Sequence, residues 1–473
     1  MSEEALRALY ARTFAAPPGS VEALKADGSA RRLFRMGGPK AAVIGAVGPD
    51  PRENRAFLSF SRHFRAQKMN VPEILAESQA ENVYIEEDLG DTTLFQYLTA
   101  NRTGARIAPE VLAVYKKVAV ELPRFQTDAA AGLDYSLCYP RASFDRQSML
   151  WDLNHFKYYF LRLSGIPFDE QALEDDFAKF ADFLLEAPRE HFLYRDFQSR
   201  NVMVRDGEPW FIDYQGGRKG AMQYDIASLL YDAKADLPFS LREELLAVYL
   251  DAARERVKID RADFLARFPG FALVRIMQAM GTYGLRGFYE RKTHFLQSIP
   301  YAVRNLERLL QTYDLPVRLP ALSEVWRRLV TSSALRQYGS ASMSLTVRVQ
   351  SFSYKGGMPA DEKGHGGGFI FDCRGLPNPG REARFAPQTG KDKDVADYLG
   401  GDPSVRAFLE KTAELVTNSI QNYRTRNFTD LFVAYGCTGG RHRSVFCAES
   451  LARLLRAQGV AVELSHRELD RPK

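Results

Sequence analysis

The sequence predicts a two-lobed α+β fold followed by a separate α/β domain. Three observations predict it. Strand-like runs with one embedded helix fill residues 1–90, and amphipathic helical runs dominate residues 91–315. Residues 345–473 then alternate strand and helix.

The elements follow in order. An acidic start, Met1-Ser2-Glu3-Glu4, leads into a helical pattern. After the turn Asp27-Gly28-Ser29, polar and apolar residues alternate from Arg31 to Met36, until Gly37-Gly38-Pro39 breaks the run. Ala41 to Val47 reads as a buried strand. Glu53 to Gln67 has helical spacing, with Phe57, Phe60 and Phe64 on one face. Val83 to Gly90 is strand-like and ends in a polar turn. Helical runs are expected near 108–128, 145–163, 170–186, 240–256 and 270–290, around a strand-rich block at 191–214. Leu315-Pro316-Val317-Arg318-Leu319-Pro320 looks like a domain edge. Residues 316–344 are therefore expected to be a helical linker, with a helix at 322–337 and a Gly/Ser/Ala stretch from Gly339 to Ser344. Beyond it, strands are expected at 345–354, 368–372, 431–435 and 460–464, with helices at 405–424 and 444–457.

Composition narrows the classes. The 473 residues suit two or three domains. A hydrophobic fraction of 45% and a charged fraction of 26% are those of an ordinary globular chain. No apolar run reaches the ~18 residues of a membrane span. The N-terminus lacks the basic start and apolar stretch of a signal peptide. Cys138, Cys373, Cys437 and Cys447 are too scattered for a disulfide framework and form no CxxC pair, so a reducing cytoplasm without zinc is expected. The net charge of +5 comes mostly from residues 345–473. That excess suits phosphorylated ligands and is too small to argue for nucleic acid.

The most informative residues are Tyr194-Arg195-Asp196-Phe197-Gln198-Ser199-Arg200-Asn201, followed by Phe211-Ile212-Asp213-Tyr214. An Asp, an Asn five residues on, and an Asp in an apolar strand form the polar kit for phosphoryl transfer. Asp196 can take a hydroxyl proton, while Asn201 and Asp213 can hold magnesium against nucleotide phosphates. The bland alternative is a capped turn and a hairpin end.

With these residues the chain resembles the aminoglycoside phosphotransferase family. It is closest to the branch of cell-wall amino-sugar kinases that phosphorylate N-acetylmuramate and N-acetylglucosamine. The shared wording is Arg195-Asp196-Phe197 with Arg200-Asn201, then Asp213-Tyr214-Gln215, then Tyr224-Asp225-Ile226-Ala227-Ser228-Leu229-Leu230. The resemblance covers roughly residues 1–315 and implies a protein-kinase-like fold, with an N-lobe at 1–90 and a helical C-lobe at 91–315. It implies ATP and Mg2+ as cofactors, Asp196 as base, Asn201 and Asp213 as metal ligands, and Glu86 to Leu89 as the adenine hinge. Two departures stand out. Tyr194 replaces the usual His, and the strand 41–47 has no nucleotide-clamping Lys. Arg32 and Lys40 are the candidates for that clamp, and Gly28 and Ser29 for the loop over the phosphates. Asp225 is expected to be a helix cap that supports the catalytic loop rather than a reactant.

The second signal is Gly436-Cys437-Thr438-Gly439-Gly440-Arg441-His442-Arg443-Ser444, between a strand and a helix. Backbone N–H groups at a helix start, with Arg441, His442 and Arg443, make an anion-binding loop. Cys437 to Arg443 also spells the C-x5-R of cysteine phosphatases, without their upstream His or an obvious acid loop. A plain glycine turn is the other reading. The segments Phe371 to Pro379, Gln388-Thr389-Gly390, Val395 to Leu399 and Gly436 to Val445 resemble the C-terminal domain of the RNase adapter family, RapZ. That resemblance implies that 345–473 is a phosphosugar-binding domain. Its pocket would be lined by Cys437, Thr438, Gly439, Gly440, Arg441, His442 and Arg443, with Asp372, Arg374 and Asn378 as neighbours. That domain senses glucosamine-6-phosphate and binds small RNAs in the family. The family's N-terminal P-loop domain is absent here, which puts RNA in doubt. The expectation is a sugar kinase with a phosphosugar-sensing domain; the alternative is an RNA- or partner-binding adapter with a degenerate kinase fold. Membrane association is not expected, and an oligomer is left open.

Overall fold

The computed structural model describes residues 2–24, 31–38, 42–104, 106–338, 345–359, 368–425 and 430–470. The chain forms two compact units, Met1–Glu290 with Ser298–Arg336, and Arg291–Gln297 with Gln337–Lys473.

The first unit opens with α1 (Ser2–Phe14) and a five-stranded antiparallel sheet. Its strands are β1 (Ser20–Ala23), β2 (Arg32–Gly37), β3 (Val43–Val47), β4 (Ile74–Ser78) and β5 (Val83–Glu87), in the order β1-β2-β3-β5-β4. Between β3 and β4 runs α2 (Pro51–Ala66). Asp50 caps it by accepting from the Arg52 N–H, and Pro51 sits in its first turn, where a missing N–H costs nothing. Strand parity divides the sheet. Phe34, Met36, Val43, Val83 and Ile85 pack with Leu6, Leu9 and Tyr10 of α1. Residues of the opposite parity, among them Tyr84, turn to the face carrying Phe57 of α2.

The helical lobe comprises α3 (Leu94–Ala100), a small hairpin of β6 (Arg102–Thr103) and β7 (Arg106–Ile107), α4 (Pro109–Gln126), α5 (Arg146–Phe156) and α6 (Glu170–Leu185). Next come β8 (His191–Leu193), β9 (Val202–Arg205), β10 (Glu208–Phe211) and β11 (Arg218–Gly220). Strands β9 and β10 pair antiparallel, as do β8 and β11. The lobe continues through α7 (Gln223–Leu230), α8 (Phe239–Arg254), α9 (Arg261–Tyr283) and α10 (Ile299–Thr312). Helix α9 begins nine residues before the expected 270, because Asp260 caps it and Pro269 is carried inside it. The expected linker also needs correction. Up to Arg336 it belongs to the first unit, forming α11 (Pro320–Thr331) and most of the short α12 (Ser333–Gln337). The Asp176 carboxylate accepts from the N–H groups of Ala321 (2.7 Å) and Leu322 (3.0 Å), and Trp326 is buried edge-on against Phe180. That stretch is part of the first unit.

The second unit holds a parallel four-stranded sheet, β12 (Thr346–Ser353), β13 (Gly368–Asp372), β14 (Asp430–Cys437) and β15 (Ala461–His466), in the order β13-β14-β12-β15. Helices α13 (Lys393–Gly401) and α14 (Pro403–Thr425) precede β14, and α15 (Arg443–Ala457) follows it. Strand β14 is buried along its whole length, as an apolar run between two parallel neighbours should be.

Candidate functional site

In the first unit, the residues picked out by spacing come together. Asn201, at the end of a 3-10 turn before β9, donates from Nδ2 to the Asp196 carbonyl (2.8 Å) and to Asp213 Oδ2 (3.2 Å). The Asn201 amide oxygen and the Asp213 carboxylate thus lie in one cluster beside the Asp196 backbone. The Asp196 side chain is 42% exposed, with Arg275 Nη2 at 4.0 Å. Arg195 and Asp213 both sit at positive φ, 86° and 69°. Backbone held in that region costs energy and concentrates where function requires it.

Buried tethers hold these strained residues. The Arg195 guanidinium grips Asp152 of α5 through two bonds (2.7 and 2.6 Å) and donates to Tyr224 Oη (2.6 Å). Asp225 accepts from the N–H groups of Tyr194 (2.8 Å) and Arg195 (3.0 Å) and from Gln126 Nε2 (3.1 Å). Burial pushes its pKa up to about 7, and those three donors oppose the rise. Asp225 therefore braces the loop at Tyr194 and Arg195 from within the first turn of α7, and does not cap its own helix. Tyr194 donates from Oη to the Ile212 carbonyl (2.6 Å), joining the residue before Arg195 to the residue before Asp213. Tyr214 stacks on Phe57 (5.2 Å) and shares a 2.6 Å hydrogen bond with Ser61, so α2 fixes the other side of Asp213.

On the sheet, Glu86 ends up near Arg31 and its pKa is pushed up to about 7 by burial. Its Oε2 is enclosed and has no hydrogen-bond partner among the described residues. Leu89 is buried beside Gly90, just after β5. Arg32 requires correction. It pairs with Val47, and that parity belongs to the α1 side of the sheet; its guanidinium lies over Phe34 at 5.7 Å. The neighbouring Arg31 takes the other side, with Nη2 2.7 Å from Asp213 Oδ1, Nη1 3.2 Å from Tyr84 Oη and Nε 3.7 Å from Glu53. Burial opposes its charge, yet Tyr84, Asp213 and Glu53 hold its pKa above the usual arginine value. Sequence reasoning missed Arg31. The signal available was the Arg31-Arg32 pair opening an alternating run. Gly28, Ser29 and Lys40 lie outside the described residues.

Among the described residues no group of three or more His, Cys, Asp or Glu gathers as a metal cage. One Asn and one carboxylate nevertheless fit magnesium, which is commonly held by one or two carboxylates together with substrate phosphates. Among the described residues, no helix is long and apolar enough to cross a membrane.

In the second unit, the loop after Cys437 lies at the carboxyl ends of parallel strands. Asp372 and Phe352 both register with Gly436, and Ser353 with Cys437. Ligands of open α/β sheets bind at such ends. Thr438, Gly439 and Arg441 are exposed, and Gly440 is buried at φ 68°. A Cβ on Gly440 would stand 2.4 Å from Glu468 Cγ and 2.9 Å from the Ser353 nitrogen, so only glycine fits. Cys437 Sγ accepts from the Gly440 N–H (3.2 Å) and lies 3.1 Å from Ser444 Oγ. His442 stands at the start of α15 without a side-chain capping bond, and its Nε2 is 3.0 Å from the Phe385 carbonyl. Arg374 pairs with Asp372 (2.7 Å) and stacks over Tyr354 (4.1 Å); that pairing holds the Asp372 carboxyl below its ordinary pKa. Asn378 opens the 3-10 turn at Pro379–Arg381, and Gly380 separates it from His442. Arg443 departs from the expectation of a fork aimed at phosphate. Its Nη1 donates to the carbonyls of Arg374 (2.9 Å) and Leu376 (3.1 Å), which makes it a buried tie between the two loops.

Residues 20–259 match the phosphotransferase enzyme family, and residues 345–470 match the RapZ C-terminal domain. The chain belongs to the phosphotransferase enzyme family and carries a RapZ C-terminal domain behind that part. A nucleotide-binding protein of Laribacter hongkongensis (strain HLHK9) is 37% identical over 201 residues, 40% of this chain and 67% of that protein. The RNase adapter protein RapZ of Serratia proteamaculans (strain 568) is 38% identical over 138 residues, 29% of this chain and 47% of that protein. Among solved structures, the ADP-bound aminoglycoside phosphotransferase APH(2'')-Ib is similar with a TM-score of 0.42 and 14% identity, over 65% of this chain and 95% of that one. Choline kinase from Cryptosporidium parvum Iowa II gives 0.44 and 12%, over 64% and 92%.

Proposed function

We propose that the chain is an ATP-dependent kinase of an amino sugar, such as N-acetylmuramate or N-acetylglucosamine, with a phosphosugar-binding C-terminal domain. The observation that carries the reading is the bonded cluster of Asp196, Asn201 and Asp213 on two braced loops. Asp196, half-exposed, takes the proton of the acceptor hydroxyl. Asn201 and Asp213 hold Mg2+, which neutralises phosphate charge when bound. The stretch from Glu86 to Leu89 receives the nucleotide base. The sugar class rests on the local wording of residues 194–230.

In the second unit, the turn Thr438-Gly439-Gly440 and the start of α15 offer N–H donors to a sugar phosphate, with Arg441 and His442 adding charge. Asp372, Arg374 and Asn378 stand at the neighbouring strand end. A second reading, an adapter that binds RNA or a protein partner, draws on the 38% identity to an RNase adapter protein.

The test is ATP consumption by the full chain across a panel of amino sugars, with Asp196→Asn as the blank. The kinase reading expects one acceptor to raise consumption well above the blank. An equal rate in both proteins with every acceptor would leave the adapter reading.

A further inference from the structure

Kinases of this plan place a lysine on the third strand, where it pairs with a helix glutamate and holds the nucleotide phosphates. Here β3 is Val43-Ile44-Gly45-Ala46-Val47 and has no basic residue. Its inward positions are known from pairing. Ala46 lies opposite Leu33 and Tyr84, and Ile44 opposite Arg35 and Glu86. Directly paired residues share a face of the sheet. Side chains of that parity look toward α2 and Asp213, since Tyr84 packs on Phe57 and receives the Arg31 fork.

We propose that Arg31, the residue just before β2, performs the task of the missing strand lysine and holds the nucleotide phosphates from there instead of from β3. This inference rests on the phosphotransferase reading. The burial of Arg31 and three contacts carry it. Arg31 is only 9% exposed. Its Nε lies 3.7 Å from Glu53, a residue of the first turn of α2, an ion pair to the helix made from the edge of β2 instead of from within β3. Its Nη2 meets Asp213 at 2.7 Å, so the charge stands at the metal-binding carboxylate. The guanidinium also lies over the Phe57 ring at 5.3 Å, which fixes its plane. Glu53 at Nε and the Phe57 ring thus aim the fork, and its planar donors match phosphate oxygens.

The same contacts describe what nucleotide does. Arg31 donates to Asp213, one of the two groups that would hold Mg2+. Phosphates bound at this fork would draw on the same donors, with Glu53 holding the arm, and would leave Asp213 freer for the metal. Nucleotide and Mg2+ therefore bind cooperatively through Arg31.

The experiment measures Mg-ATP affinity by calorimetry and the KM values for ATP and acceptor, on the full chain. The variants are Arg31→Ala, Arg31→Lys, Glu53→Gln and, for the opposite sheet face, Arg32→Ala. Loss of charge-assisted bonds predicts that Arg31→Ala weakens Mg-ATP about 10- to 100-fold. Arg31→Lys should recover part of that loss, Glu53→Gln should weaken binding less than Arg31→Ala, and Arg32→Ala should match the wild type. The acceptor KM and the nucleotide-free melting point should hold in Arg31→Lys, which a purely structural role would not allow. Mg-ATP affinity of Arg31→Ala within twofold of wild type overturns the clamp while leaving the kinase reading intact. So does an equal loss in Arg32→Ala. If Arg31→Ala does not fold, unchanged affinity in both Arg31→Lys and Glu53→Gln overturns it instead. A wild-type chain that binds no Mg-ATP overturns both the clamp and the kinase reading.

Discussion

Replacing Tyr194 by Phe removes one oxygen and nothing else. Tyr194 is fully buried, and its hydroxyl donates to the Ile212 carbonyl at 2.6 Å. The ring contacts, edge-on to Phe125 and Phe197, survive the change. The cost is one buried hydrogen bond plus a carbonyl left without that donor, about 1–3 kcal/mol. For a unit of this size, that corresponds to a fall in melting point of roughly 1–4 °C. The bond joins the loop that carries Asp196 to the strand end that carries Asp213. Loosening it should therefore lower kcat about 3- to 30-fold, the equivalent of about 1–2 kcal/mol of lost positioning. Scanning calorimetry and initial rates on the same preparation give both numbers. A melting point within about 1 °C of wild type together with an unchanged kcat would refute the tether.

Four further outcomes follow from the two sites. Glu86, raised to about 7 from an ordinary 4.5, keeps a proton in the folded chain that the unfolded chain loses between those values. Stability from this group is present below that window and fades as pH rises through it. Glu86→Gln should thus be more stable than wild type by about 1–3 kcal/mol at pH 8 and equal to it near pH 4, measured by urea melts. Asp213→Ala should lose the thermal stabilisation that Mg-ATP gives the wild-type chain; full stabilisation in the variant would remove Asp213 from the metal site. Arg443→Ala should weaken glucosamine-6-phosphate binding and destabilise the second unit by about 1–3 kcal/mol, because the carbonyls of Arg374 and Leu376 lose their donor. Cys437→Ser should leave sugar-kinase turnover intact. Phosphate release from a phosphosugar that Cys437→Ser abolishes would instead support a phosphatase.

What was legible in the sequence was what local chain geometry fixes. Asp196 and Asn201 share one loop, and Asp213 follows a hairpin closed by pairing of β9 with β10, so their meeting is a matter of short spacing. Helix α2 was legible because its buried Phe57, Phe60 and Phe64 keep helical period. What depends on distant partners was not. Arg31 and Arg32 are adjacent and chemically alike, and only strand parity assigns one to Asp213 and the other to the α1 side. Pro316 and Pro320 punctuate like a linker, yet Asp176 caps the helix that follows across a long sequence gap. Arg443 reads as a phosphate fork until Arg374 and Leu376 arrive from another strand end to claim its Nη1. Asp225 looks like a helix cap, whereas its carboxylate serves the backbone of Tyr194 and Arg195.

The most direct test of the account is single-turnover transfer of the γ-phosphoryl group by wild type and Asp196→Asn, with Mg-ATP affinity measured beside it. The account predicts that transfer falls by about 10²–10⁴ while affinity and fold are retained, because Asp196 takes the acceptor proton and does not hold the nucleotide. Transfer at the wild-type rate in Asp196→Asn would contradict it.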